Sequence, residues 1–139
     1  MDTILQREQY ILIYRVSYFS LFSSLYALYR GHYHLVMVPA SVFLSSINYW
    51  RKPDYSYRRY LDMIVVKTAV SYQHYMVYNT DNAMLYYAIV YIGLLSYPIG
   101  IYYYNKGDYW KSTYFHIFLH IISNIGNIVL YSSNLNNST

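Results

Sequence analysis

The long stretches without a formal charge constrain this chain most. Asp, Glu, Lys and Arg are all absent from Val16 to Tyr29, Gly31 to Trp50, Thr68 to Thr80, Asn82 to Asn105 and Ser112 to Thr139. A helix needs about 20 predominantly apolar residues to cross about 30 Å of hydrocarbon, and several of these runs reach that length. Charged residues make up 12% of the 139 positions, about half the share usual in a soluble domain. Mean hydropathy is only slightly positive, because the scale penalises tyrosine and the chain has 23 of them. Tyrosine is amphipathic and sits well at the edges of a membrane.

These features predict an all-α fold in a single domain over residues 1–139: a polytopic membrane helical bundle of about five transmembrane helices. The expected spans are 10–29, 33–50, 59–78, 83–104 and 112–131, with residues 132–139 as a short polar tail. The connections at 30–32, 51–58, 79–82 and 105–111 are short enough that consecutive helices pack antiparallel. Pro53, the Asn79/Asp81/Asn82 cluster and Gly107-Asp108 provide turn chemistry. Pro39 and Pro98 fall inside spans, where neighbouring helices make a kink tolerable. The first apolar segment, interrupted by Arg15 and without a small-residue cleavage pattern, reads as a permanent span rather than a leader.

Basic residues set the expected orientation, since Lys and Arg accumulate in cytoplasmic loops. Arg7, Arg51, Lys52, Arg58, Arg59, Lys106 and Lys111 fall on one side of a five-span chain and only Arg30 on the other. The N-terminus is therefore expected in the cytoplasm. The net charge of +4 then has its partners in anionic lipid headgroups, and no motif calls for nucleic acid. The absence of cysteine excludes thiolate chemistry and cysteine-held metals. Asn136 and Asn137 each open an Asn-x-Ser/Thr pattern in the tail, too close to the last span for a glycosylating enzyme.

Polar residues at membrane depth are costly and are expected to turn into the bundle. They are Arg15, Asn48, Asp62, Lys67, His74, His116, His120, Asn124 and Asn127. Alternation of the helices puts Ser45, Ser46, Asp62, His116 and His120 at similar depth near the basic side. His116 and His120 stand at i and i+4, the spacing at which two imidazoles share a metal. Asn124 and Asn127 continue their stripe. The same stripe also suits plain interhelical fastening. Asp62 has candidate partners in Arg15, His116 or a bound cation, or in Arg58 and Arg59 at the interface. Lys67, Ser71 and His74 form a separate line, and His74 lies too far along its helix from Asp62 to join one metal site.

The segments SINYW (Ser46 to Trp50), RRYLD (Arg58 to Asp62) and HIFLH (His116 to His120) together resemble the membrane superfamily of alkaline ceramidases and adiponectin and progestin receptors. That resemblance implies a zinc-dependent hydrolase of a lipid amide or ester at the cytoplasmic membrane edge. His116 and His120 would be zinc ligands, with Ser46 and Asp62 supporting the site or a zinc-bound water. The family has seven spans and a further histidine four residues after the serine, the position held here by Trp50. The competing expectation is a non-enzymatic bundle, structural, receptor-like or ion- or proton-conducting, in which the same polar residues pack helices or line a path.

Overall fold

A computed structural model describes residues 2–135, and these form only helices, turns and loops. Asn136 and Asn137 lie outside the described residues. The helices are α1 (Arg7–Val16), α2 (Tyr18–Tyr29), α3 (Tyr33–Trp50), α4 (Tyr57–Val77), α5 (Ala83–Asn105) and α6 (Tyr109–Tyr131). α1 and α2 run on as one rod of 23 residues, so the fold is a bundle of five rods. Their junction is Ser17, whose backbone N–H and hydroxyl both donate to Ile13 O, at 3.0 and 2.9 Å. A serine that bonds back to the i−4 carbonyl in this way loosens a helix locally.

Three rods, Arg7–Tyr29, Ala83–Asn105 and Tyr109–Tyr131, are long and apolar enough to cross a membrane. The 18-residue α3 and 21-residue α4 have the length as well. α4 is the least apolar of the two because it carries Arg58, Arg59, Asp62 and Lys67. Three helices begin earlier than the sequence suggests, α1 at Arg7, α4 at Tyr57 and α6 at Tyr109. Asp108 caps α6 by accepting from Lys111 N at 3.2 Å, which draws Lys111 into the first turn. α4 begins at Tyr57, after an extended Ser56, and Arg58 is held by Asp54 at 2.8 Å.

The rods alternate in direction. At one end Ile4 N donates to Pro53 O and Tyr104 OH donates to Ile4 O, which gathers the N-terminal segment, the 51–56 loop and the end of α5. At the other end Arg30 and His32 reach the backbone carbonyls of Ser132 and Tyr131, both at 3.0 Å. Arg7, Arg51, Lys52, Arg58, Arg59, Lys106 and Lys111 all belong to the first, basic end.

In cross-section the rods form a crescent. α4 packs on α3, α5 on α6, and the α1–α2 rod lies between α3 and α6. α5 and α6 approach most closely, through glycines: a Cβ on Gly126 would sit 2.8 Å from Val90 Cγ2, and one on Gly93 would run into Ile122. Small residues that let helix backbones meet are the usual device for packing apolar helices.

Large apolar side chains cover much of the outside, and polar ones share the interior with the apolar core. Phe22, Met37, Leu44, Ile64, Met84 and Leu95 point outward, each about 60% exposed or more. Ser20, Ser23, Ser24, Ser45, Ser46, Gln73, Ser96, Thr113, His120 and Asn124 are buried. Exposed tyrosines gather towards both ends, Tyr55, Tyr57, Tyr60, Tyr102 and Tyr109 at the basic one and Tyr29, Tyr33, Tyr75 and Tyr78 at the other. Apolar flanks between two aromatic belts suit a bilayer.

Candidate functional site

The hollow of the crescent is a cavity of about 500 Å³, within the range of small-molecule sites. It extends along α4 from Arg59 to Gln73, roughly 20 Å at the helical rise. At its deep end α4 and α5 are tied together: Gln73 Nε2 donates to Tyr86 OH and Tyr87 OH donates to His74 O, both at 2.8 Å. Beyond these ties α4 and α5 are not packed against each other. Met63, Val66 and Lys67 of α4 face Leu94, Tyr97 and Ile101 of α5 across the opening, with Lys67, Tyr97 and Ile101 exposed. The cavity thus opens sideways, and its middle is lined by Val66, Val70, Val90 and Leu94.

Ser45, Ser46 and Asp62 come together on the α3–α4 side. Asp62 Oδ1 accepts from Ser45 Oγ at 2.7 Å and from Ser46 Oγ at 3.0 Å. These hydroxyls stand where Arg15, His116, Arg58 or Arg59 was expected to partner the carboxylate. Arg15 is exposed on α1, and Arg58 is taken by Asp54 at 2.8 Å. The serine pair is adjacent in sequence yet reaches one acceptor, because both hydroxyls come from the last turns of α3, which pack against the first turns of α4.

His116 and His120 stand on α6 with ring centroids 5.1 Å apart, and both line the cavity. Trp50 packs on His116 at 4.7 Å between ring centroids, and Tyr97 lies 6.5 Å from it. Among the described residues no hydrogen bond engages the ring nitrogens of either histidine. Their stripe splits in function further along α6. Asn124 Oδ1 accepts from Ser23 Oγ at 2.6 Å, and Asn124 Nδ2 donates to Ser20 Oγ and to His120 O. Asn127 Oδ1 accepts from Gln73 Nε2 at 2.8 Å. The asparagines fasten helices, and the histidines do not.

Ser71 is exposed on α4 rather than turned inward, whereas Lys67, also exposed, borders the cavity. A long apolar stem lets Lys67 border the cavity while its ammonium stays in the open. His74 is apart from the other histidines, its Nδ1 on Val70 O at 2.8 Å and its ring among Tyr86, Tyr87 and Tyr91. Asn48 contributes only its backbone carbonyl, to Arg58 Nη1.

Gln73 escaped the sequence reading. Its side chain is fully engaged, donating to Tyr86 and Asn127 and accepting from Tyr131 OH at 2.6 Å. A signal was present: Gln73 is eleven residues after Asp62, and Asn127 eleven after His116. α4 and α6 run parallel, so each pair spans the same depth, roughly 16 Å. The result is a polar residue on both helices at each of these two depths.

A zinc ion fits these residues poorly. Catalytic zinc uses three protein ligands and keeps a fourth position open. Here two imidazoles are adjacent, Trp50 packs on one of them, and no group of three His, Cys, Asp or Glu suited to a metal occurs among the described residues. Indole N–H is a donor only and cannot ligate. Trp50 Nε1 is buried without a hydrogen-bond partner.

Comparisons with protein-family models, with curated proteins and with solved structures return no match.

Proposed function

We propose that the chain is an integral membrane protein with five spans and a cytoplasmic N-terminus, and that its cavity holds one membrane lipid admitted sideways between α4 and α5. The observation that carries this reading is the side opening itself. An apolar chain would enter between Val66 and Leu94, at the level where the outer flanks meet hydrocarbon, while the polar end stays near Ser45, Ser46, Asp62 and the histidines. Three helices of spanning length and composition, the apolar flanks and the seven basic residues at one end support the membrane placement.

Native mass spectrometry of protein extracted from bilayers tests it. One lipid per chain should be retained, and Val66→Trp, which fills the opening, should lower retention at least tenfold while folding is kept. Wild-type protein that carries no lipid, or retention unchanged by the tryptophan, contradicts the reading.

A second reading, hydrolysis of a lipid amide or ester, is favoured by one observation: Asp62, His116 and His120 line the same cavity. A histidine or carboxylate within reach of a bound carbonyl could move a proton for an attacking water. Zinc, which the family resemblance implies, would find only two histidines here. Release of fatty acid from an ester or amide lipid, abolished by His120→Ala, would establish this activity.

A further inference from the structure

We propose that the lipid is an anionic one whose phosphate is held by Arg59 at the mouth of the cavity. The inference rests on the lipid-binding reading above and adds the chemistry of the ligand's head. Arg59 lines the basic end of the cavity, half-buried, with its guanidinium over the Tyr55 ring at 5.2 Å.

The two carboxylates that could neutralise it are engaged elsewhere. Asp62, at i+3, is well placed in sequence for a helical ion pair with Arg59, but its Oδ1 is turned to Ser45 and Ser46. Asp54 is bound to Arg58. The neighbouring cation is saturated: Arg58 donates to Asp54, to the Lys52 and Asn48 carbonyls and to Ser56 Oγ. Among the described residues the ion pairs are Arg58–Asp54 and Lys111–Asp108, and Arg59 is in neither.

A guanidinium fixed on an aromatic face, with no carboxylate, above an apolar cavity matches an amphiphile with an anionic head. Guanidinium donors fit phosphate oxygens in pairs, and the aromatic face reduces the conformational freedom lost on binding. A free phosphate shares the head's chemistry but has no chain to fill the space between Val66 and Leu94. The bound species is therefore the lipid.

The test measures retention by native mass spectrometry from vesicles of phosphatidylglycerol and phosphatidylcholine with identical acyl chains, mixed in equal amounts. Wild type should retain phosphatidylglycerol about tenfold over phosphatidylcholine. Arg59→Gln should lose that preference while still retaining lipid, Arg59→Lys should keep a reduced one, and Lys106→Gln, a basic residue at the same end outside the cavity lining, should leave it intact. Equal loss in Lys106→Gln and Arg59→Gln would make the preference a property of the basic end as a whole and overturn the assignment. Displacement of phosphatidylglycerol by inorganic phosphate would overturn the lipid source. Retention of both lipids without preference by wild type would overturn the inference and leave the cavity reading standing, whereas failure to retain either would remove the cavity reading itself. Should Arg59→Gln not fold, the Lys variant and the wild-type ratio still decide.

Discussion

The hydroxyl of Ser45 lies 2.7 Å from Asp62 Oδ1, and that hydrogen bond, joined by one from Ser46 at 3.0 Å, fixes the start of α4 against the end of α3. Because the carboxylate faces its neighbouring helix, one wall of the cavity is held without an ion pair and Arg59 is left for something else.

Asp62→Asn keeps an acceptor oxygen for both serines and should cost less than about 1 kcal/mol. Asp62→Leu strips the acceptor and should cost about 1–2 kcal/mol, the upper part of the range for interhelical hydrogen bonds in membranes. Thermal unfolding in detergent separates the two. Equal stability of the Leu and Asn variants would mean that the serines contribute nothing through Asp62.

Gln73 holds three helices through three hydrogen bonds, to Tyr86, Asn127 and Tyr131. Gln73→Leu leaves those partners unsatisfied and should lower stability by about 2 kcal/mol, at an average of roughly 0.6 kcal/mol per bond. Unfolding midpoints of Gln73→Leu and Asn127→Leu, alone and combined, should show non-additivity, since the two side chains share a bond. Strict additivity would dissolve the network.

How far the sequence could be read follows from these two sites. Uncharged run length depends on local composition, so the five rods and their antiparallel order are legible, and helix starts shift by less than a turn, as where Asp108 caps α6. Ser45, Ser46, Asp62, His116 and His120 were placed at one depth by topology alone. Which of them touch was not legible, because depth says nothing of rotation about each helix axis. Charge alone points Asp62 to cationic partners, whereas hydroxyls satisfy it at short range. Gln73 carries no charge to mark it, although its register with Asp62 is as regular as that of Asn127 with His116. The side opening depends on α4 and α5 not packing against each other beyond those ties, which no single-helix pattern encodes.

Trp50 gives a test of the metal geometry. Its ring sits 4.7 Å from that of His116, so Trp50→His would add a third imidazole beside the existing pair. Wild-type protein should hold well under one equivalent of zinc by elemental mass spectrometry, and Trp50→His should hold more, since three nitrogen ligands make a site that two do not. Stoichiometric zinc in the wild type, lost in His116→Ala/His120→Ala, would restore the hydrolase reading.

The 51–56 loop should respond to acid. The Asp54 carboxyl is held below its ordinary range, first by the hydrogen bond from Ser56 and then by Arg58. A depressed folded pKa stabilises above the unfolded value of about 3.9 and is lost as pH falls through the folded value. Hydrogen exchange at the Ser56 amide, which donates to Asp54 Oδ1 at 3.1 Å, should therefore be flat from neutral pH down to about 5 once the intrinsic rate is removed, and accelerate below about 4. Asp54→Ala should show the faster exchange at neutral pH. Protection in wild type that persists below the folded pKa would mean that the carboxylate does not hold the loop.

The most direct test of the central claim is photolabelling in a bilayer with a lipid that carries a diazirine along its acyl chain, with the adducts mapped by peptide mass spectrometry. Occupation of the cavity predicts adducts on the inward residues Val66, Val70 and Leu94, removed by excess unlabelled lipid and by Val66→Trp. Adducts confined to outward residues such as Ile64 and Leu95, unaffected by competitor, would show that lipid only surrounds the bundle and would contradict the account.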